Sequence, residues 1–337
     1  VNTLTIRRPD DFHVHLRRFE MMQKVVGFTA DHFARALIMP NTDSPIETSA
    51  DVEHYRREII EATPGASFDP LMTIKLTRNT RPAAIYAARE AGVVAAKFYP
   101  EGATTNANGG FRCVTDVPRD VLGAMAACGM VLCLHGEDPA AFVMDRERNF
   151  LPQINRILAD HPMLRCVLEH VTTEDAVVMV RERPDDGRLG ATITAHHLWT
   201  TLDDVVGGLL EPHAFCKPVP KRPRDRAALV LAATIDDPRF FFGSDSAPHD
   251  RSKKECAHGC AGAFTAPVAL ALLAEVFEHV GRLSNLEAFV SERGATFYGL
   301  KKNEGTITLE TRIWPVAREI RGIVPFMAGR EMRWQVV

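Results

Sequence analysis

Phe12-His13-Val14-His15-Leu16-Arg17 is the stretch from which the rest of the chain can be read. Two histidines stand one residue apart in an apolar, β-compatible run. On a strand, residues i and i+2 share a face. His13 and His15 can therefore aim two imidazoles at one point, as a metal ion requires. Taken alone, the pair is equally compatible with two ordinary histidines, one buried and one in a loop. The ligand reading gains from further metal-competent residues downstream, each at the end of a later strand candidate.

Those candidates are Arg35–Pro40, Asp69–Leu76, Val93–Tyr99, Met130–Gly136, Arg165–His170, Leu189–Ala195 and Arg239–Asp245. With Phe12–Leu16 they make eight. Helix-length amphipathic segments lie between them: Ala50–Thr63, Arg81–Ala91, Pro118–Cys128, Asn149–Ala159, Thr173–Arg183 and Arg224–Ala233. Thr172-Thr173-Glu174-Asp175 supplies an N-cap and first-turn acids for one of them. Eight successive βα units predict an α/β fold of the TIM (β/α)8 barrel type. An open doubly wound sheet would call for a glycine-rich phosphate turn after an early strand, and the chain has none. We expect residues 1–337 to form one barrel domain. The segment from Pro267 on is expected to give two helices (Pro267–His279, Leu286–Ala295) and then short β-prone pieces (Gly305–Leu309, Ile323–Phe326, Met332–Val337), with 300–337 as a C-terminal extension.

The 337 residues suit one such barrel, and 46% hydrophobic residues suffice for its core. A formal charge of −3, with no basic tract, points away from nucleic acid. No apolar run approaches the roughly 18 residues of a membrane span, and the N-terminus has no signal-peptide core, so no membrane association and a cytoplasmic location are expected. Seven scattered cysteines do not read as a disulfide framework. Cys256 and Cys260 flank His258 in CAHGC, but no second pair stands at finger-like spacing, and a structural metal is not expected there.

In a barrel the active site lies at the C-terminal ends of the strands. The polar residues there are His13, His15, Asn41, Lys97, His135, His170 and Asp245, with His196 and His197 after strand seven. Four histidines and one aspartate could hold two divalent ions, with zinc favoured by the imidazole content. Lys97 is the odd member, because an ammonium beside two cations is disfavoured. Either it points away and pairs with an acid, or it is neutral and modified. A carbamate, formed with carbon dioxide, would offer two oxygens to two metals.

The chain resembles the amidohydrolase superfamily, and within it the dihydroorotases of the short bacterial type. The matching motifs are RRPDDFHVHLR (Arg7–Arg17), MPN (Met39–Asn41), AAKFYP (Ala95–Pro100), ATTN (Ala103–Asn106), LHGE (Leu134–Glu137), LEHVTT (Leu168–Thr173), ATIT (Ala191–Thr194), GSDSAPH (Gly243–His249), CAGAF (Cys260–Phe264) and FYGL (Phe297–Leu300). They run in family order over nearly the whole chain. The resemblance implies two Zn2+ per chain. His13, His15 and Asp245 would hold the more buried ion, His135 and His170 the other, and an N6-carboxylated Lys97 would bridge them. A hydroxide between the ions would attack a ring amide, with Asp245 as general acid and base. The substrate pair would be dihydroorotate and N-carbamoyl-L-aspartate, and the enzyme a homodimer. Arg17, Asn41 and His249 would bind the substrate carboxylate. Lys217 and Ala261 would contact the ring through backbone groups, with His15 and His135 also bordering it. The loop Glu101–Gly110 would be a lid carrying Thr104 and Thr105.

Two positions depart from the family pattern. Arg18-Phe19 stands where relatives commonly have Asp-Gly, and Lys217 where some have leucine. The nearest other reading is a dihydropyrimidinase or hydantoinase. Those enzymes usually carry a long β-rich stretch ahead of the His-x-His, and only twelve residues precede His13 here. A catalytically dead relative would be expected to lack ligands, and all six positions are intact. A phosphate-binding barrel isomerase would need a glycine-rich loop after strands seven and eight, which SAPHDRSKK (Ser246–Lys254) does not resemble.

Overall fold

Runs such as Ala95–Phe98 (AAKF) and Cys166–Glu169 (CVLE) carry no regular polar alternation. Such a strand is stable when both of its faces are covered. The structure, a computed structural model, describes residues 2–104 and 106–337. It has eleven strands among the described residues: β1 (Thr3–Arg7), β2 (Asp10–Val14), β3 (Arg35–Ile38), β4 (Asp69–Lys75), β5 (Ala95–Phe98), β6 (Val131–His135), β7 (Cys166–Glu169), β8 (Leu189–Ile193), β9 (Phe240–Phe242), β10 (Thr306–Pro315) and β11 (Glu331–Val336). Strands β2 to β9 pair in sequence order, all parallel, with helices in the connections. This is the TIM barrel expected from the sequence. Each of its eight strands falls within, or within two residues of, its expected stretch.

Two apolar layers hold the strands. Val14, Ile38, Ile74, Phe98, Leu132, Leu134, Leu168, Ile193 and Phe242 belong to the layer shared with the helices. Phe12, Leu37, Leu71, Ala95, Val131, Cys133, Val167 and Phe241 fill the barrel interior with Phe297. Alternation then dictates what else points inward. On β5, Lys97 follows Ala95 on the inner face; on β6, His135 follows Val131 and Cys133. At the interior's apolar end, Phe12 stacks on Tyr298 at 5.0 Å and meets Phe241 edge-on at 5.5 Å. Helix Arg293–Tyr298 reaches this plug because position 294 is glycine; a Cβ there would lie 2.3 Å from the Phe12 ring.

The remaining strands form a second sheet of order β1-β10-β11, antiparallel throughout. Three features differ from the sequence expectation. β1 is not among the expected strands, although Thr3–Arg7 alternates polar and apolar residues; its partner β10 lies some 300 residues away in sequence. Ile323, expected in a β piece, makes only an isolated bridge with Ile320. The helix at Phe19–His32 is likewise not among those expected.

Candidate metal centre and substrate cleft

The seam that closes the barrel is made by the candidate ligands and their neighbours. Asp245 N donates to His13 O at 2.8 Å, and His15 N to Ser246 O at 3.0 Å. Buried Asp11 pins both sides: its carboxylate accepts from His13 N (3.1 Å), Ser244 N (2.8 Å) and the Ser244 hydroxyl (2.6 Å). Burial pushes Asp11 up to about 6 despite these donors. His170 and Asp245 adopt left-handed backbone, with φ of 41° and 45°. Such residues cost on the order of 1–3 kcal/mol each and persist where the surroundings over-determine them. His170 N is fixed by Thr192 Oγ1 at 2.7 Å, and Asp245 by the seam itself.

The imidazoles converge as the strand ends require. The His13 ring lies 5.3 Å from His15 and 5.0 Å from His170, and His170 lies 4.8 Å from His135. Ligand atoms of His13, His170 and Asp245 all fall within 4.8 Å of one another. His13 donates through Nδ1 to Glu169 Oε2 at 2.8 Å, so a neutral His13 keeps a lone pair on Nε2. That atom faces Asp245 Oδ1 at 3.3 Å. Two acceptors so close repel unless a proton or a metal cation lies between them. His15 Nε2 approaches the same oxygen at 3.1 Å. Burial lowers His15 to about 4. Burial would raise Asp245, but its bonds to His13 and His15 hold it well below the usual carboxylate range. His135 donates through Nε2 to Glu137 Oε2 at 2.9 Å, leaving Nδ1 as its lone pair.

Lys97 is fully buried on β5, 5.3 Å from the Tyr99 ring centroid, and its Nζ has no hydrogen-bond partner among the described residues. Burial drives its pKa down. An unpaired ammonium in such a place costs several kcal/mol, so a neutral or modified amine fits where a charged one does not. The alternative of a salt bridge with an acid is not found.

Above these groups lies a narrow cleft. Its lining brings together His13, His15, Arg17, Asn41, Thr104, His135, His170, Lys217, Asp245 and Ala261, all expected from the sequence, with Tyr99 in addition. Arg17 donates through Nε to Pro248 O, and its Nη2 lies 3.0 Å from His249 Nε2. His249, lowered to about 3 by burial and by Arg17, is not in the cleft's lining; with Arg18 and Phe19 it lines a neighbouring pocket that shares Arg17 with the cleft. Tyr99 donates to Asn41 Oδ1 at 2.9 Å. The loop after β5 is held by Lys75, whose Nζ donates to Asn106 O and Asn108 O at 2.8 Å each. Thr105 lies outside the described residues.

Comparison with known proteins agrees with this geometry. The sequence model of the Amidohydrolase family matches residues 10–310. The dihydroorotase of Vibrio cholerae is 46% identical over 344 residues, covering 100% of both chains. The chain belongs to the dihydroorotase family. Among solved structures, the Campylobacter jejuni dihydroorotase superposes with a TM-score of 0.92 at 37% identity, covering 99% of this chain and 97% of that one. The Saccharomyces cerevisiae dihydroorotase, in complex with 5-fluoroorotic acid, gives 0.93 at 34% identity, covering 100% of this chain and 99% of that one. As a dihydroorotase-family chain it is an enzyme of the amidohydrolase class, and no helix among its described residues is long and apolar enough to cross a membrane.

Sequence reasoning missed the carboxylates that orient the imidazoles. Glu169 and Glu137 are both buried, each on one nitrogen of a candidate ligand. This is how ligating histidines are commonly held. Glu137 could have been flagged: it lies two residues beyond His135. Glu169 precedes His170 but serves His13, 156 positions away.

Proposed function

We propose that the chain is a dihydroorotase, hydrolysing the ring amide of dihydroorotate to N-carbamoyl-L-aspartate and closing the ring in the reverse direction, as in de novo UMP synthesis. The observation that carries this reading is one cleft lined by the His13–His170–Asp245 donors and by the carboxylate-binding candidates Arg17 and Asn41, with His249 3.0 Å from Arg17 in the neighbouring pocket. The donors fit two divalent ions, zinc first: His13, His15 and Asp245 for one, His135 and His170 for the other. The orphaned Nζ of Lys97 is where N6-carboxylation would add a bridging anion. Bound divalent cations supply Lewis acidity and lower the pKa of water.

The chain's own groups do the rest. Asp245 Oδ1, close to both His13 Nε2 and His15 Nε2, takes the proton of the attacking water and returns it to the ring nitrogen. Arg17 and His249 receive the substrate carboxylate, and Asn41, oriented by Tyr99, adds an amide. Backbone groups of Lys217 and Ala261 hold the ring, with His15 and His135 beside it. Thr104, on the lid loop after β5, closes over it and excludes water. The yeast relative's 5-fluoroorotic acid is itself a carboxylate-bearing pyrimidine, which supports this substrate class. The resemblance carries three further proposals: one functional unit over 1–337, a homodimer, and a cytoplasmic location.

Selectivity tests the reading. A site built around a carboxylate should turn over dihydrouracil with kcat/KM roughly 10³-fold or more below dihydroorotate. Comparable rates on dihydrouracil or hydantoin would overturn it.

A further inference from the structure

Among the described residues, a second group of metal-competent side chains is brought together, and nothing in the proposed reaction uses it. It consists of His196, His197 and Cys216, all buried, with ligand atoms within 4.8 Å of one another. His196 and His197 lie on the short helix Ala195–Trp199 that follows β8. Cys216 precedes Lys217, which lines the cleft.

His197 Nε2 is 3.0 Å from Pro218 O and 3.6 Å from Cys216 Sγ, and Cys216 Sγ is 3.3 Å from Pro218 O. His197 Nδ1 lies 2.9 Å from Thr194 Oγ1. Hydrogen bonds thus account for His197 and Cys216. They do not account for His196, which is 1% exposed and has no hydrogen-bond partner on either ring nitrogen among the described residues. Its ring sits 4.3 Å from that of His197. A polar group buried without a partner is destabilising.

We propose that His196, His197 and Cys216, with Pro218 O as a fourth donor, form a site for a further divalent transition-metal ion, zinc being the best match. Two imidazoles and a thiolate are a soft donor set of that kind. The separations of 3.0, 3.3 and 3.6 Å approach the ~3.3–3.8 Å edges of a tetrahedron with zinc bonds of about 2.0–2.3 Å. On binding, Cys216 releases its thiol proton. The proton of His197 moves to Nδ1, where Thr194 Oγ1 accepts it and Nε2 is freed for the ion, the arrangement that orients ligating histidines. The ion gives His196 its missing partner. It also ties the helix after β8 to the segment carrying Lys217, fixing one wall of the cleft.

The test uses the full chain produced in cobalt-supplemented medium, so that the ion is present as the chain folds. Thiolate-to-cobalt charge transfer in the near ultraviolet reports a sulfur ligand, which the nitrogen and oxygen donors of the cleft cannot supply. The band is expected in the intact chain and in Cys256→Ser/Cys260→Ser. It is expected to vanish in Cys216→Ser, with one cobalt fewer per chain, and to weaken strongly in His196→Gln. An intact chain without the band overturns the proposal. So does a band that survives Cys216→Ser or disappears with Cys256 and Cys260. Should Cys216→Ser fail to fold, His196→Gln decides: an unchanged band, as a trapped water on His196 would give, overturns the site. None of these readouts depends on turnover.

Discussion

On β6, Val131 packs with Phe12 and Phe241 inside the barrel, while His135, four residues on, faces the cleft. The same step separates Phe241 from Asp245. The two ends of the interior are thus lined from shared strands but hold opposite chemistry. The apolar end is stabilised by what it removes from water, at about 25 cal/mol per Å2 of apolar surface. The polar end is costly to build. It contains left-handed His170 and Asp245 and a buried Lys97 Nζ without a hydrogen-bond partner among the described residues. The contrast teaches that stability is concentrated at one end so that strain and unsatisfied polarity can be kept at the other.

The largest effect should come from the polar end. Asp245→Asn removes the proton carrier, while asparagine tolerates the left-handed backbone. We expect kcat to fall by up to about 10⁴-fold, equivalent to some 5.5 kcal/mol of barrier, with a nearly unchanged unfolding midpoint. Steady-state kinetics beside thermal unfolding checks both; a kcat within tenfold would break the division. Phe241→Ala should do the reverse. A loss of about 3–5 kcal/mol is expected in urea unfolding, with kcat per folded molecule little altered. A large drop in kcat without destabilisation would mean that the plug takes part in the chemistry. The smallest effect belongs to the rim. Lys75→Met removes the ammonium that holds Asn106 O and Asn108 O. Backbone amides of Glu101–Gly110 should then exchange hydrogen faster, and kcat/KM should drop roughly tenfold, the equivalent of about 1.4 kcal/mol from a lid less often closed. Unchanged exchange would show that Lys75 does not fasten the loop.

The barrel is legible in the sequence because its strands are buried on both faces, so that VLCLH or CVLE reads as a short apolar block between helical segments. The candidate ligands are legible for a related reason: at a strand's C-terminal end, a histidine or aspartate interrupts the block. What escapes is set by long-range contact. Glu169 supports His13 across 156 positions, and Asp11 holds Ser244 across 233. No periodicity encodes such pairs. β1 is the exception: Thr3–Arg7 alternates polar and apolar residues as a half-buried strand does, and this signal is overlooked because the segment is short and its partner β10 is remote. His196 reads as a packing or loop residue; its burial is clear, but its lack of any partner emerges only in three dimensions.

The central claim is that the polar end is a dinuclear metal site opening cyclic amides that bear a carboxylate. Dihydroorotate hydrolysis, followed by ultraviolet absorbance with metal counted at the cleft, tests it most directly. The intact chain is the sample for turnover, and Cys216→Ser, counted beside it, gives the cleft's share of the metal. Turnover with two divalent ions per chain is the expected result. Absence of both metal and turnover after reconstitution with zinc and bicarbonate would contradict the account.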